Sequence, residues 1–367
     1  MPLTRRHALA TLGAGLALPY VRPSWAQAGT VNVYNWSDYI GETTLADFEA
    51  ETGIGVVYDL YASSEEMQAR MLAGSSGYDL VLQAGSAMPR MVAAGVYRPF
   101  DRARLTNWGN LDPVLLRTVE GFDPGNAHGV PYMWGSVGFT YNLDMVRERL
   151  PDADLSDLGT ILNPENAAKL ADCGISLLDS PDDFGVMVLK YIGLDPDTAG
   201  AAEYQRMLET MMPIRDYVAV FDNANYLTTL PAGEVCAVNS WSGDYSVAKA
   251  RAAEAGLTVN LAYFVPRSGV PAWFDLWAIP ADAPNVANAH AFANYLLRPE
   301  VIAAASNFTG YANANRASKP LLDPAIANDP AIYPDAETMA RLYTPAPQTE
   351  AQAREILRAW TTFRAGG

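Results

Sequence analysis

The stretch VNVYNWSDYIGETTLADFEAETGIGVVYDLY, residues 31–61, decides the fold. VNVYNW (31–36) is β-branched and aromatic and reads as a strand. LADFEAETG (45–53) is a helix that stops at Gly53, and IGVVYDLY (54–61) is a second strand. Strand, helix and strand with links this short predict a parallel, doubly wound sheet covered by helices on both faces.

The same grammar extends outward. SSEEMQARMLAG (63–74) is a helix with a serine cap, acids in its first turn and a glycine after its end, and YDLVLQA (78–84) is a third strand. It resumes later with a helix at 202–212, a strand at 234–241 and a helix at 243–256. A strand follows at about 260–265, then AWFDLWAI (272–279) and a helix at 285–297 before Arg298-Pro299. A chain of 367 residues exceeds one small core, so two lobes are expected. With no repeat, low-complexity segment or flexible linker, short strand-like crossings should join them.

The N-terminus predicts export. Arg5 and Arg6 precede a short apolar run from Ala8 to Leu18, and Ala26-Gln27-Ala28 has the small-x-small form of a cleavage site. Residues 1–28 therefore read as a signal peptide, too short in its apolar part to span a membrane. Thr4-Arg5-Arg6 with Leu9 resembles the twin-arginine signal, although Ala8 stands where a large apolar residue is usual. Cleavage takes three arginines and no acid, so the formal charge of −16 becomes −19. No later stretch approaches the ~18 apolar residues of a membrane span, which places the mature protein in the periplasm. In that oxidising space Cys173 and Cys236, the only cysteines, are either a disulfide or two buried thiols.

The acidic balance argues against nucleic acid, which needs clustered lysine and arginine. Of three histidines, His7 leaves with the signal, and His128 and His290 have no ligand-like spacing, so no metal site is expected. No nucleophile elbow, phosphate loop or dinucleotide turn is present, and nothing marks a catalytic pair among the 41 acids. Neither a cofactor nor an enzyme is predicted.

Three places instead set an acid beside aromatics. They are YNWSDYI (34–40) with Trp36, Ser37, Asp38 and Tyr39, NSWSGDY (239–245) with Trp241 and Asp244, and the stretch AWFDLWAI. Strand alternation in the last puts Trp273, Asp275 and Trp277 on one face. In open α/β sheets ligands bind beyond the carboxyl ends of strands, where the first two places fall. The chemistry suits alkyl ammonium groups: an aromatic face attracts a cation by ~0.5–2 kcal/mol and covers methylenes. A carboxylate about 4 Å away contributes ~4 kcal/mol at an effective dielectric of 20, before desolvation. The plainer reading makes Asp38 and Asp244 helix caps and the tryptophans ordinary core.

Several stretches resemble the polyamine-binding receptors of ABC importers. They are VYNWSDYI (33–40), DPGNAHGVPYMWGSVG (123–138), NYLLRPEV (294–301), YANANRASKP (311–320) and AWTTFR (359–364). The putrescine-binding members are most alike, the spermidine-binding members next. The resemblance implies an α/β, two-lobed periplasmic-binding-protein fold of class II. Each lobe would be a mixed, mainly parallel sheet flanked by helices, with a two-strand hinge. It divides the chain into a first lobe of residues 29–135 and 258–308 and a second of 136–257 and 309–367. Trp36, Ser37, Asp38 and Tyr39 match the family's first-lobe motif, Trp241 and Trp273 its aromatic walls, and Asp244 and Asp275 its amine-binding acids. Tyr311 matches a closing aromatic, and Asp183 stands where the putrescine type has a glutamate. Of the family's two pocket serines only Ser86 remains, with Ala84 in place of the other. Trp273 replaces a phenylalanine and is nearer the spermidine type. The cysteines match as well, which favours the Cys173–Cys236 bridge. A monomeric polyamine receptor serving an ABC permease is implied. A receptor for agmatine or cadaverine, a polyamine-sensing partner of a membrane signalling protein, and a secreted hydrolase are the other readings.

Overall fold

The computed structural model describes residues 29–367, and the signal peptide assigned to residues 1–28 lies outside them. The local signals hold. Helix Thr44–Thr52 ends at Gly53, whose left-handed backbone (φ 71°) returns its N–H to the Glu49 carbonyl. A residue with a Cβ would lose roughly 1–2 kcal/mol there. Helix Ser64–Ala73 starts at Ser63, whose hydroxyl accepts the Glu66 N–H at 3.1 Å.

Twelve strands are described. In chain order they are β1 (Thr30–Trp36), β2 (Gly55–Tyr61), β3 (Leu80–Ala84), β4 (Tyr97–Arg98), β5 (Gly129–Asn142) and β6 (Ile175–Leu177). Then come β7 (Val218–Phe221), β8 (Ala237–Trp241), β9 (Leu261–Phe264), β10 (Val270–Pro280), β11 (Ala312–Asn313) and β12 (Leu342–Tyr343). The main path runs β2-β1-β3-β10-β5-β8-β6-β7. Each outer trio is parallel, as crossover helices require, while β10 and β5 run antiparallel to their neighbours.

Two cores lie along this sheet. The first gathers Val31, Phe48, Leu82, Trp277 and Phe292; the second gathers Phe139, Leu177, Phe184, Val238 and Trp360. β5 belongs to both. Gly129–Ser136 pair with β10, Val137–Asn142 pair with β8 and β9, and all 14 residues of the strand are buried. The chain crosses between lobes in β5 and again at the start of β10, where Val270 lies in the second core and Ala272 in the first. A third crossing leads from β12, which pairs with the start of β10, to helix Glu350–Ala365 on the second core.

The packing divides the chain differently from the expectation at two points. Residues from 258 were expected in the first lobe, but β9 pairs with the far half of β5 and Leu261 lies in the second core. Residues from 309 were expected in the second lobe, but β11 pairs with Met133 and Trp134, and Ala312, Ala314 and Ile332 lie in the first core. Both short strands are placed by partners on β5 that are distant in sequence, and no local pattern encodes such a partner.

Cys173 and Cys236 are bonded, with Cα atoms 5.5 Å apart, and tie the approach to β6 to the approach to β8. No helix among the described residues is long and apolar enough to cross a membrane.

Candidate functional site

β10 brings Asp275 opposite Ala84, the last residue of β3. Its pairing with β5 is interrupted there: Phe274 faces Trp134 and Leu276 faces Pro131, leaving Tyr132 and Met133 against Asp275 alone. Such a bulge adds a residue to β5 and breaks alternation along that strand, not along β10. Trp277 is core, 1% exposed with its ring 5.2 Å from that of Tyr132, while Trp273 stays half-buried. Asp275 is 8% exposed, and its Oδ2 accepts the Tyr39 hydroxyl at 3.0 Å. Burial pushes its carboxyl from 3.8 to about 7, with the Tyr39 hydrogen bond holding it down.

Asp244 lies in the first turn of helix Ser242–Glu254, directly after β8, and is also 8% exposed. It is not a cap: Tyr226 donates to its Oδ2 and Tyr311 to its Oδ1. Burial raises its carboxyl above the usual range, against the pull of those two hydroxyls and of Arg251. Asp183 occupies the π-helical turn Pro181–Gly185 and keeps a solvent-facing edge although protein surrounds it. Burial lifts it to about 7; hydrogen bonding to Ser180 and Trp241 lowers it and the neighbouring Asp182 raises it. Among the described residues no salt bridge involves Asp183, Asp244 or Asp275. No group of three or more metal-ligating side chains is arranged to hold an ion there.

Tyr311 joins the two halves. It packs on the first core, follows Gly310 at the end of helix Pro299–Thr309, and reaches across to Asp244. Its ring meets those of Tyr39 at 5.6 Å and Trp273 at 5.2 Å, both edge-on. A Cβ on Gly243 would stand 2.3 Å from this ring, and one on Gly135 would stand 2.5 Å from Trp273. These two glycines let the aromatics approach the backbone. Gly243→Ala should leave the helical content intact, as circular dichroism would register. It should also hold Tyr311 off and weaken ligand binding about tenfold or more, an order set by displacing a packed aromatic.

Of the residues singled out in the sequence, Tyr39, Asp244, Trp273, Asp275 and Tyr311 form one connected set, and Trp241 and Asp183 adjoin each other. Trp36 stacks at a tilt on Tyr61, 4.3 Å between centroids. Ser37, Asp38 and Ser86 are exposed. Asp38 has a left-handed backbone (φ 52°) and accepts from the Ser37 hydroxyl at 3.1 Å; the next helix is capped at Thr43, not at Asp38. Two tyrosines escaped the sequence reading. Tyr226 stands in DNANYL, where nothing local links it to Asp244, and Tyr263, bonded to Ser136 at 3.0 Å, owes its place to the absence of a Cβ on Gly138.

Two lobes on one sheet, with aromatic-faced carboxylates between them, have well-defined counterparts. A family model described as bacterial extracellular solute-binding protein matches residues 43–334. The putrescine-binding periplasmic protein SpuD of Pseudomonas aeruginosa is 42% identical over 337 residues, 92% of either chain. The putrescine-binding periplasmic protein PotF of Escherichia coli is 41% identical over 343 residues, 93% of either chain. Among solved structures, the spermidine/putrescine ABC transporter substrate-binding protein PotD of Streptococcus pneumoniae superposes with a TM-score of 0.80 at 25% identity, covering 92% of this chain and 99% of its own.

Proposed function

The chain belongs to the bacterial extracellular solute-binding protein family, and on that premise we propose that it captures polyamines in the periplasm and delivers them to an ABC permease. The observation that carries this reading is the set of buried carboxylates without salt-bridge partners, Asp244 and Asp275, faced by the rings of Tyr39, Trp273 and Tyr311. An aliphatic diamine complements it. Each ammonium neutralises an acid and donates to hydroxyl oxygens, and the methylenes lie against aromatic faces. Asp183 and Trp241 offer a further acid–aromatic pair on the second lobe. Putrescine and spermidine are the ligands to test first. Closure follows from the ligand's preference for the state in which both lobes touch it. The receptor acts as a monomer, and residues 1–28 take it out by the twin-arginine route.

Calorimetric titration with putrescine and spermidine tests the proposal, and heats indistinguishable from dilution for both would end it. The pH dependence has a defined sign. Asp275 and Asp183 titrate near 7 in the ligand-free protein, whereas an ammonium favours their charged forms. Binding therefore expels protons below about pH 7. Affinity should fall by about tenfold per pH unit for each proton expelled as pH drops from 7 to 5. Titrations in buffers of different ionisation heat would count those protons.

A further inference from the structure

We propose that Tyr226 is the positioning residue of Asp244: its phenol permanently holds one carboxylate oxygen, leaving the other to be exchanged between Tyr311 and the ligand. The inference rests on Asp244 being an ammonium-binding acid. It concerns a residue outside the cleft wall, buried to 1% exposure and remote from Asp244 in sequence.

The geometry separates the two phenols that meet at Asp244. Tyr311 comes from the first lobe, so its bond to Oδ1 spans the cleft and parts when the lobes part. Tyr226 comes from the second lobe, as Asp244 does, so its bond to Oδ2 survives any movement of the lobes. Tyr226 is itself fixed. Asp222 Oδ2 accepts its backbone N–H at 2.7 Å, and Asp222 Oδ1 accepts the N–H groups of Ala224 and Asn225 at 3.0 Å each. Arg251 on Asp244's helix donates to Thr228 at 3.2 Å, clamping that helix to helix Tyr226–Thr229. The hydroxyl is thus presented from a braced turn.

The consequence is electrostatic. Asp244 is buried, and burial favours its neutral form. The groups facing it are Tyr226 from its short helix, Tyr311 from the first lobe, Tyr263 from β9 and Arg251 from its own helix. Asp222 faces Tyr226 from behind, and Asp183 faces Tyr263. Of the two phenols bonded to Asp244, only Tyr226 is available both before and after a ligand arrives. Its hydrogen bond favours the ionised form against burial, and keeps the carboxylate oriented, while Tyr311 is away.

Tyr226→Phe removes one oxygen and keeps the ring. In ligand-free protein labelled with carbon-13 at aspartate carboxyls, the Asp244 midpoint should move upward. Putrescine affinity should fall roughly tenfold at a pH below the variant's measured midpoint, the order expected of one hydrogen bond to a charged group, and return to within about twofold of native at a pH well above it. An unmoved Asp244 midpoint overturns the proposal, as does an affinity loss equal at both pH values. An early-melting variant with an unmoved midpoint overturns it too, since Tyr226 would then be only a packing residue. The carboxyl titration needs no ligand. Should native protein fail to bind putrescine, the polyamine reading falls while the role of Tyr226 is still decided.

Discussion

Asp275→Asn is expected to abolish polyamine binding and, in the same protein, to raise the melting temperature of the ligand-free form at pH 8. The loss follows from removing one partner of a buried charge pair, which costs ~2–5 kcal/mol, or at least about 30-fold in affinity. The gain follows from the carboxyl itself. Its folded-state value of about 7 lies above the 3.8 of an unperturbed aspartate, so the folded protein binds this proton more tightly than the unfolded chain. Stability therefore falls as pH rises from about 4 to 7, and the full penalty of ~4 kcal/mol applies above 7. Asparagine carries no charge to desolvate and still accepts the Tyr39 hydroxyl through Oδ1. The native-to-variant difference in melting temperature should be several degrees at pH 8 and vanish near pH 4. Calorimetric scans at those two pH values, with and without putrescine, measure both halves. A variant that melts below native at pH 8 would show that Asp275 is held charged by something other than ligand.

Loss of the Cys173–Cys236 bridge is the second large effect. The bonded residues are 63 apart in sequence, and on the chain-entropy model closing such a loop contributes ~4 kcal/mol by restricting the unfolded chain. The double substitution Cys173→Ala with Cys236→Ala should lower the denaturant midpoint accordingly, while putrescine affinity changes by less than about threefold. Binding is spared because the bridge joins the starts of β6 and β8, whereas Trp241 and Asp244 stand at and beyond the far end of β8. Both sulfurs are buried, Cys173 at 3% exposure and Cys236 at 0%. Dithiothreitol alone should therefore leave the native protein bridged for hours, and free thiols should appear only once denaturant opens the second lobe.

Features controlled by near neighbours were legible in the sequence. Gly53 and Ser63 end and begin helices through hydrogen bonds that span four residues or fewer. Trp273 with Asp275 was legible as an acid–aromatic pair because both share a strand. The unread features depend on distance. Tyr226 reaches Asp244 only through the fold, and β9 and β11 take their lobes from opposite halves of β5. Trp277 shares a strand with Asp275 and lies deep in the first core, a depth the strand pattern alone does not give. Ser37, Asp38 and Ser86 matched the family's pocket motif, but a motif does not state exposure, and all three face solvent here.

The chain passes between its lobes three times, and each passage is anchored in or beside the same sheet. β5 changes partners between Ser136, which pairs with β10, and Val137, which pairs with β8, and a hinge between the lobes is expected there, as one rotation. A single rotational coordinate loses little freedom when it stops, so closure takes little from the ligand's own affinity. It also makes the closed outline the same whichever polyamine is inside. The proposed delivery to a permease would then require only that closed shape, without any reading of the cargo.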